Sequence, residues 1–397
     1  MKRIRTIETL IVMLSAVCVF AQTEIRTADE LAAMCKDETS RWGSYILLND
    51  ITVENWKPVG SSDTPFEGLF NGSGHTVTVK SIVQGETEGK LLDYTPQGLF
   101  AVIGKNGSVK NLKIEGEIDC NSGTLTLYAG AVAGKNYGMI MNCVSCCNIT
   151  VKGGKINFLN IQATRALGAL ATGGKMVLYT NGAYAGGLAG INSGEIKNCH
   201  SSSNIYIDGE GIKCGGGIAG GSGSDAGGIV AQCIATGTVT TTGKGGAGTK
   251  GYYRGAGGIA GQNCGVIKNC VALNKALTAS HVKCVAGINA MFDAETQKGD
   301  IDDSFYQKEI TVFKSTDAEK KDEKTAKKVE TGKGMEGSPV EIIETQTQEW
   351  WQSPKGKKSK FAFAFGSDDN APWTWNEALQ RPVLYWEITE KNETKNE

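Results

Sequence analysis

Few side chains in this chain are of a type and spacing that can do chemistry, and they are scattered. Histidine occurs at His75, His200 and His281, and none falls in the H-E-x-x-H spacing that places two imidazoles on one helical face around zinc. His75 follows Gly74 in a glycine-rich turn, where a structural role is expected. Asp302-Asp303 is the best candidate for the paired acid and base carboxylates of a polysaccharide-cleaving site. Adjacent residues on a strand point to opposite faces, however, and no basic or histidine partner stands nearby, so solvated turn carboxylates are expected. Cys143-x-x-Cys146 lacks the second pair of cysteines or histidines that a tetrahedral zinc site needs. No G-x-S-x-G elbow occurs. Gly220-Gly221-Ser222-Gly223-Ser224-Asp225 matches the start of a calcium-binding nonapeptide, but such sites need tandem copies, and Gly227 stands where a large apolar residue is required. The sequence therefore predicts no catalytic, cofactor-binding or metal-ligating set, no cofactor, and a protein that is not an enzyme.

What these residues are embedded in is a repeat. Residues 184–207, YAGGLAGINSGEIKNCHSSSNIYI, return in altered form at 254–278 and at 128–151. The shared template is A-G-[GA]-[LIV]-A-G-x-N-x-G-x-I-x-N-C. Its equivalent glycines are read as Gly104, Gly134, Gly190, Gly220, Gly261 and Gly287, spaced by 30, 56, 30, 41 and 26 residues. The 56-residue gap reads as two units, with Gly168-Ala169-Leu170-Ala171 a degraded copy; the 41-residue gap reads as one unit enlarged by the glycine-rich 243–251. A unit of this length without helical periodicity is built from strands such as Glu195–Lys197 and Asn204–Ile207, and Asn-x-Gly supplies corners tolerant of positive φ. One such unit has no core of its own. Stacked at the ~4.8 Å strand spacing, successive units share a core and a backbone ladder, which predicts an all-β, right-handed parallel β-helix.

Composition agrees. Glycine contributes 53 of 397 residues and proline 7, which excludes collagen, and 40% hydrophobic residues with a net charge of −1 exclude disorder. The same near-neutral balance gives no reason to expect nucleic acid as a partner. Residues 1–21 read as a secretory signal peptide: Lys2, Arg3 and Arg5, then the apolar Leu10–Phe20, with cleavage after Ala21. That run is too short to span a bilayer, so no membrane span is expected. Twelve cysteines in a secreted chain usually mean disulfides. Here Cys143, Cys199, Cys233 and Cys270 occupy one repeat slot that Leu112 and Ser304 also fill, which favours a buried column of free thiols over one or two disulfides. Cys146, Cys147 and Cys264 lie outside the column.

Around the repeats, Thr27 and Glu30 form a capping box that starts a short helical cap with Leu31 and Met34 on its apolar stripe. Strands follow at Tyr45–Leu48 and Ile51–Val53, and Asn71-Gly72 signals a hairpin turn. The chain then divides into 22–97 (N-terminal cap and first coils), 98–313 (repeat β-helix), 314–338 (charged linker or insertion), 339–387 (C-terminal capping coil) and a disordered tail, 388–397. Val340–Ile343 and Phe361–Phe365 read as returns to strand. An aromatic-rich C-terminal cap around Trp373–Trp386 is expected to cover the open end of the stack.

Gly187-Leu188-Ala189-Gly190, continuing through Asn192, Gly194, Ile196, Asn198 and Cys199, resembles the GLUG-motif repeat family of bacterial secreted and surface proteins. Its usual opening is matched by Trp56–Gly60 and Phe66–His75, and its usual close by Trp373-Thr374-Trp375 and Arg381–Trp386, so the resemblance covers residues 24–387. Such repeats also occur beside immunoglobulin A peptidase domains. The resemblance implies an adhesin-like stalk or binding surface on a cell envelope and transfers no catalytic residue. The expected function is a non-catalytic secreted or cell-surface protein whose partner is an unidentified host or envelope protein or glycan. A carbohydrate-active β-helix enzyme using Asp302 or Asp303, and a purely structural envelope component, are the alternatives.

Overall fold

A strand of three residues cannot satisfy its own backbone, so its amides and carbonyls must be met by chain above and below. The computed structural model describes residues 22–82, 94–121, 126–153, 182–209, 211–223, 227–243, 254–290, 298–314, 327–331, 334–353, 359 and 361–388, and in it each coil meets that need for the next. The signal-peptide reading of residues 1–21 and the degraded copy at Gly168–Ala171 lie outside the described residues, as do Ser224 and Asp225.

One coil shows the plan. Gly182–Gly186, Ala189–Asn192 and Glu195–Lys197 take the first three sides, and His200–Ser201 with Asn204–Asp208 takes the fourth. Every side stacks in parallel on its equivalents. Tyr184 lies between Tyr128 and Cys214 on the first, Ile196 between Ile140 and Val230 on the third, and Ile205 between Ile149 and Val239 on the fourth. Among the described residues, the first and second sides form six-stranded sheets, the third a nine-stranded sheet, and the fourth a 14-stranded sheet. The protein is an all-β parallel β-helix.

Inward positions form columns along the axis. Val109, Ile140, Ile196, Val230 and Ile267 stack on the third side, and Ile118, Ile149, Ile205, Val239, Leu277 and Val312 on the fourth, all essentially solvent-free. Leu188, the leucine of the repeat tetrad, sits between Val132 and Ile218 at the corner joining the first two sides. Polar groups stack too. Asn136 Nδ2 donates to Asn192 Oδ1 at 2.8 Å, and Asn263 Nδ2 to Asn289 Oδ1 at 2.9 Å, inside the stack. This buried ladder is the role of the asparagine in Asn-x-Gly; the left-handed corner residue is instead the asparagine, or Gln232, that precedes each column cysteine.

Register corrects two alignments. Ala133 pairs with Phe100 and Lys135 with Val102, so the partner of Gly134 is Ala101 and not Gly104. Leu127 pairs directly with Ala183, so the 56-residue gap is one coil with an insertion on the connection from fourth to first side, not two coils. The added residues of the 41-residue gap likewise fall between Thr241 and Arg254, since Cys214 pairs with Gly255. Ser44–Leu47 and Ile51–Val53, and likewise Leu69–Asn71 and Thr76–Val79, are consecutive sides of a coil rather than hairpins, because their partners lie in neighbouring coils.

Both ends are covered. Thr27 caps the helix Ala28–Ala32 with Glu30 completing the box, and Leu31 and Met34 are buried against the first coils. A second short helix, Glu38–Arg41, is capped by Asp37. At the other end Lys327–Val329 pairs antiparallel with Thr311–Lys314, and Ser338–Val340 pairs with Phe305–Gln307, while Met335 packs on the core. Residues 342–346 are 3-10 helix rather than strand, and 361–365 form an extended run with a single bridge from Phe365 to Trp373. The aromatic-rich C-terminal cap is present and its position is lateral: Trp351, Phe361, Phe363, Trp373, Leu384 and Trp386 form a second core with Val144, Ile234, Val271 and Leu273, on the outside of the fourth side.

The last glycine of the repeat tetrad is needed for close approach, since a Cβ on Gly190 would lie 2.5 Å from the Ala129 nitrogen of the preceding coil. Gly190→Ala should therefore lower stability by about 1–3 kcal/mol, read from denaturant midpoints. Ala101→Gly, in the corresponding slot of the first complete coil, should cost under ~1 kcal/mol. Equal effects at the two positions would contradict this register.

Candidate functional site

The sharpest backbone constraint lies where the third side turns into the fourth. Asn111, Asn142, Asn198, Gln232, Asn269 and Asp303 occupy it in successive coils with φ of 53°, 53°, 54°, 52°, 54° and 42°. Left-handed backbone costs an ordinary side chain roughly 1–2 kcal/mol, and asparagine and aspartate tolerate it best. The next residue turns inward: Leu112, Cys143, Cys199, Cys233, Cys270 and Ser304 are buried in one column. Each thiol there hydrogen-bonds to a backbone carbonyl two residues back, as in Cys199 Sγ to Lys197 O at 3.1 Å. Ser304 Oγ makes the same bond to Asp302 O at 2.9 Å, which explains why serine can replace cysteine. All eleven described cysteines are free. Burial pushes the Cys199, Cys233 and Cys270 thiols well above their ordinary range, so they are poor nucleophiles.

The corner side chains line one edge of the aromatic segment, which runs back along the flank and is held by them. Gln232 Nε2 donates to Ala362 O at 3.0 Å, and Trp373 Nε1 to Asn198 Oδ1 at 3.4 Å. Asn111 Nδ2 donates to Asp369 Oδ1 at 2.9 Å, and Asn142 Nδ2 to Asp369 O at 3.4 Å. Lys110 Nζ closes on Asp369 Oδ2 at 2.7 Å, and Tyr385 Oη donates to Oδ1 at 3.3 Å. Burial raises the Asp369 pKa, but the hydrogen bonds from Lys110, Asn111 and Tyr385, with the Lys110 charge, outweigh it and hold the carboxyl below its usual range.

His200 belongs to the same contact. It sits in the outward row Val144, His200, Ile234, Val271, Phe305 beneath the aromatic segment. Its Nε2 meets Thr236 Oγ1 at 3.1 Å, and Arg381 Nη1 lies 3.5 Å from Nδ1. Burial, and then the Arg381 charge, push its pKa well below the ordinary value, so the ring is neutral. The other two histidines lie elsewhere. His75 Nδ1 is 3.4 Å from Asp50 Oδ1, and His281 Nδ1 is 3.1 Å from Ser280 Oγ.

Beyond the end of the corner line, the segment and the coils leave a cleft of about 710 Å³. Asn71, Ser73, Gly74 and Asn111 form one wall, the loop Ser367–Asn370 a second, and Tyr385 with Trp386 a third. None of these residues stood out as a candidate in the sequence. The available signal was the apolar residue after three of the four column cysteines (Val144, Ile234, Val271), which marks a covered outer face. Asp302, by contrast, is exposed at the end of a strand and Asp303 is the left-handed corner residue, so the two serve different places in the coil. Cys143 is buried in the column and Cys146 is exposed on the fourth side, so the C-x-x-C pair does not converge. Gly220–Ser222 lies in the strand Ala219–Ser222 of the second side. Among the described residues, no cluster of three or more histidine, cysteine or acidic side chains is placed to hold a metal, and no helix is long and apolar enough to cross a membrane.

Fold and corner together define a class, the parallel β-helix built from glycine-rich coils. Residues 181–206 match the GLUG motif, so the chain carries that motif in the coil described above. A stretch of 87 residues, 22% of the chain, is 40% identical to a protein of Evansella cellulosilytica described as "Putative Gly-rich membrane protein", of whose length it covers 9%. A solved structure from Bacteroides ovatus, described as "a putative immunoglobulin A1 protease", superposes with a TM-score of 0.55 at 20% identity over 92% of each chain. At that identity the likeness shows the fold.

Acid should loosen the segment in two steps. His200 contributes fully above its unfolded pKa near 6.5, and its contribution falls as pH drops below that value, because the unfolded chain takes up a proton that the folded chain resists. Asp369 contributes fully above its unfolded value near 3.8 and is lost as pH falls through its lower folded value. Tryptophan emission should begin to redden between about pH 6.5 and 5 in the native chain. In His200→Gln that upper step should be absent; a step of unchanged size would contradict the assignment.

Proposed function

We propose that this chain is a secreted or cell-surface protein, adhesin-like, that presents its β-helix as a binding surface or spacer and does not turn over substrate. The observation that carries the reading is that the chemistry-capable side chains are committed to architecture. Cys199, Cys233 and Cys270 are buried and protonated, His200 is neutral under the aromatic segment, and Asp303 holds a corner. A signal peptide at residues 1–21, a repeat domain over 98–313 and a capping segment over 339–387 belong to the same reading. The GLUG motif at 181–206 and the β-helical likeness to the Bacteroides ovatus structure support it. That structure's description names a protease, so the enzyme alternative is tested directly.

Incubated with pectin, alginate, host glycans and immunoglobulin A, the purified chain should release no reducing ends and no peptide fragments, while being retained on intact cells or extracellular matrix. Release of reducing ends that is abolished by Asp302→Asn or Asp303→Asn would establish the carbohydrate-active alternative. Proteolysis of immunoglobulin A would overturn the non-catalytic reading from the other side.

A further inference from the structure

The cleft beside the corner line is polar and aromatic throughout. It is lined by three amide side chains, two carboxylates, two hydroxyls and two aromatic rings, with no aliphatic side chain among them. We propose that it binds a neutral oligosaccharide; this rests on the reading of the chain as a binding protein and names the ligand class of one site on it.

Four features point to that class. The first is size: about 710 Å³ lies within the ~300–1,000 Å³ typical of ligand clefts. The second is fixed polarity. Asn71 Oδ1 accepts from the Ser73 amide at 3.0 Å and from Asn111 Nδ2 at 3.3 Å. Asp368 Oδ1 accepts from the amides of Asn370 and Ala371 at 2.8 and 3.0 Å, and Asp369 is held by Lys110, Asn111 and Tyr385. Planar amides and carboxylates that cannot swing away suit neighbouring sugar hydroxyls, each of which donates and accepts. Asn111 Oδ1, buried in the wall, has no hydrogen-bond partner among the protein's described residues and is an acceptor left over for a ligand donor.

The third feature is the aromatic wall. Tyr385 is half-buried and backed by the nearly fully buried Trp386, so its ring is fixed, and the C–H face of a pyranose can pack on its exposed part while the hydroxyls reach the polar walls. The fourth is charge. Asp368 and Asp369 face the cleft and Lys110 neutralises one of them, which disfavours sulfated or phosphorylated polymers. The lack of an aliphatic lining disfavours an apolar peptide anchor.

The test is titration of the purified chain with maltohexaose, mannohexaose and chitohexaose, with a heparin hexasaccharide and a mixed decapeptide library as contrasts, followed by tryptophan emission and saturation-transfer NMR. At least one neutral hexasaccharide should bind. Asn370→Ala, an exposed position whose loss leaves the loop's backbone bonds in place, and Tyr385→Ala should each weaken that binding at least tenfold. Trp42→Ala, an exposed ring on the N-terminal cap, should not change it. No binding of any neutral probe, or a preference for heparin or peptide, overturns the saccharide assignment and leaves the broader binding reading standing. Saccharide binding unchanged in both cleft variants overturns the location alone. If Tyr385→Ala displaces the aromatic segment, Asn370→Ala decides the matter.

Discussion

The structure depends on one backbone constraint, the left-handed residue between the third and fourth sides of the coils from Asn111 to Asp303. A coil this narrow turns within a single residue there, and four asparagines, Gln232 and Asp303 meet that demand at φ of 42–54°. Once the corner is fixed, the following residue can only point inward, which creates the column of Cys143, Cys199, Cys233 and Cys270. The residue after that points outward, which creates the row Val144, His200, Ile234, Val271. Interior, corner and flank are set by three consecutive residues.

Those corner amides have a second use. Side chains chosen for backbone tolerance also carry donors and acceptors, and they project in line along one edge of the stack. The returning segment uses that line, accepting from Gln232, donating to Asn198, and meeting Asn111 and Asn142 through Asp369. Gln232 is the least suited of the amides to a left-handed turn, and its bond to Ala362 offsets part of that cost. Between these polar contacts the segment buries edge-to-face aromatic pairs such as Trp351–Phe363 and Phe305–Phe361, each with centroids 5.0 Å apart. Such pairs contribute about 0.5–1.5 kcal/mol beyond burial, so the segment is held chiefly by its rings and positioned by the amides.

Much of this was legible before any coordinates. Repeat period, glycine placement and the Leu–Cys–Ser exchange at Leu112, Cys143 and Ser304 were enough for the stacked coil and its interior column. The capping box at Thr27 and Glu30 was enough for the N-terminal cap. Local pattern could not supply register: Ala101 rather than Gly104 faces Gly134, because a glycine-rich string offers several alignments and strand pairing selects one. Nor could it separate a coil corner from a hairpin at Asn71-Gly72, since both need the same turn residues. Asp369 was invisible for a different reason. Its partners are 259 and 258 residues away at Lys110 and Asn111, and nothing in a short window marks such a pairing.

The central claim is that one amide performs two separable tasks, shaping the corner and holding the segment. Substituting Asn111 by glycine separates them, because glycine keeps the left-handed turn and removes the side chain. Hydrogen exchange on Asn111→Gly should show faster exchange across residues 363–385, with the ladder of Lys113–Asn121 as protected as in the native chain. Loss of protection in that ladder, or no change across 363–385, would contradict the account.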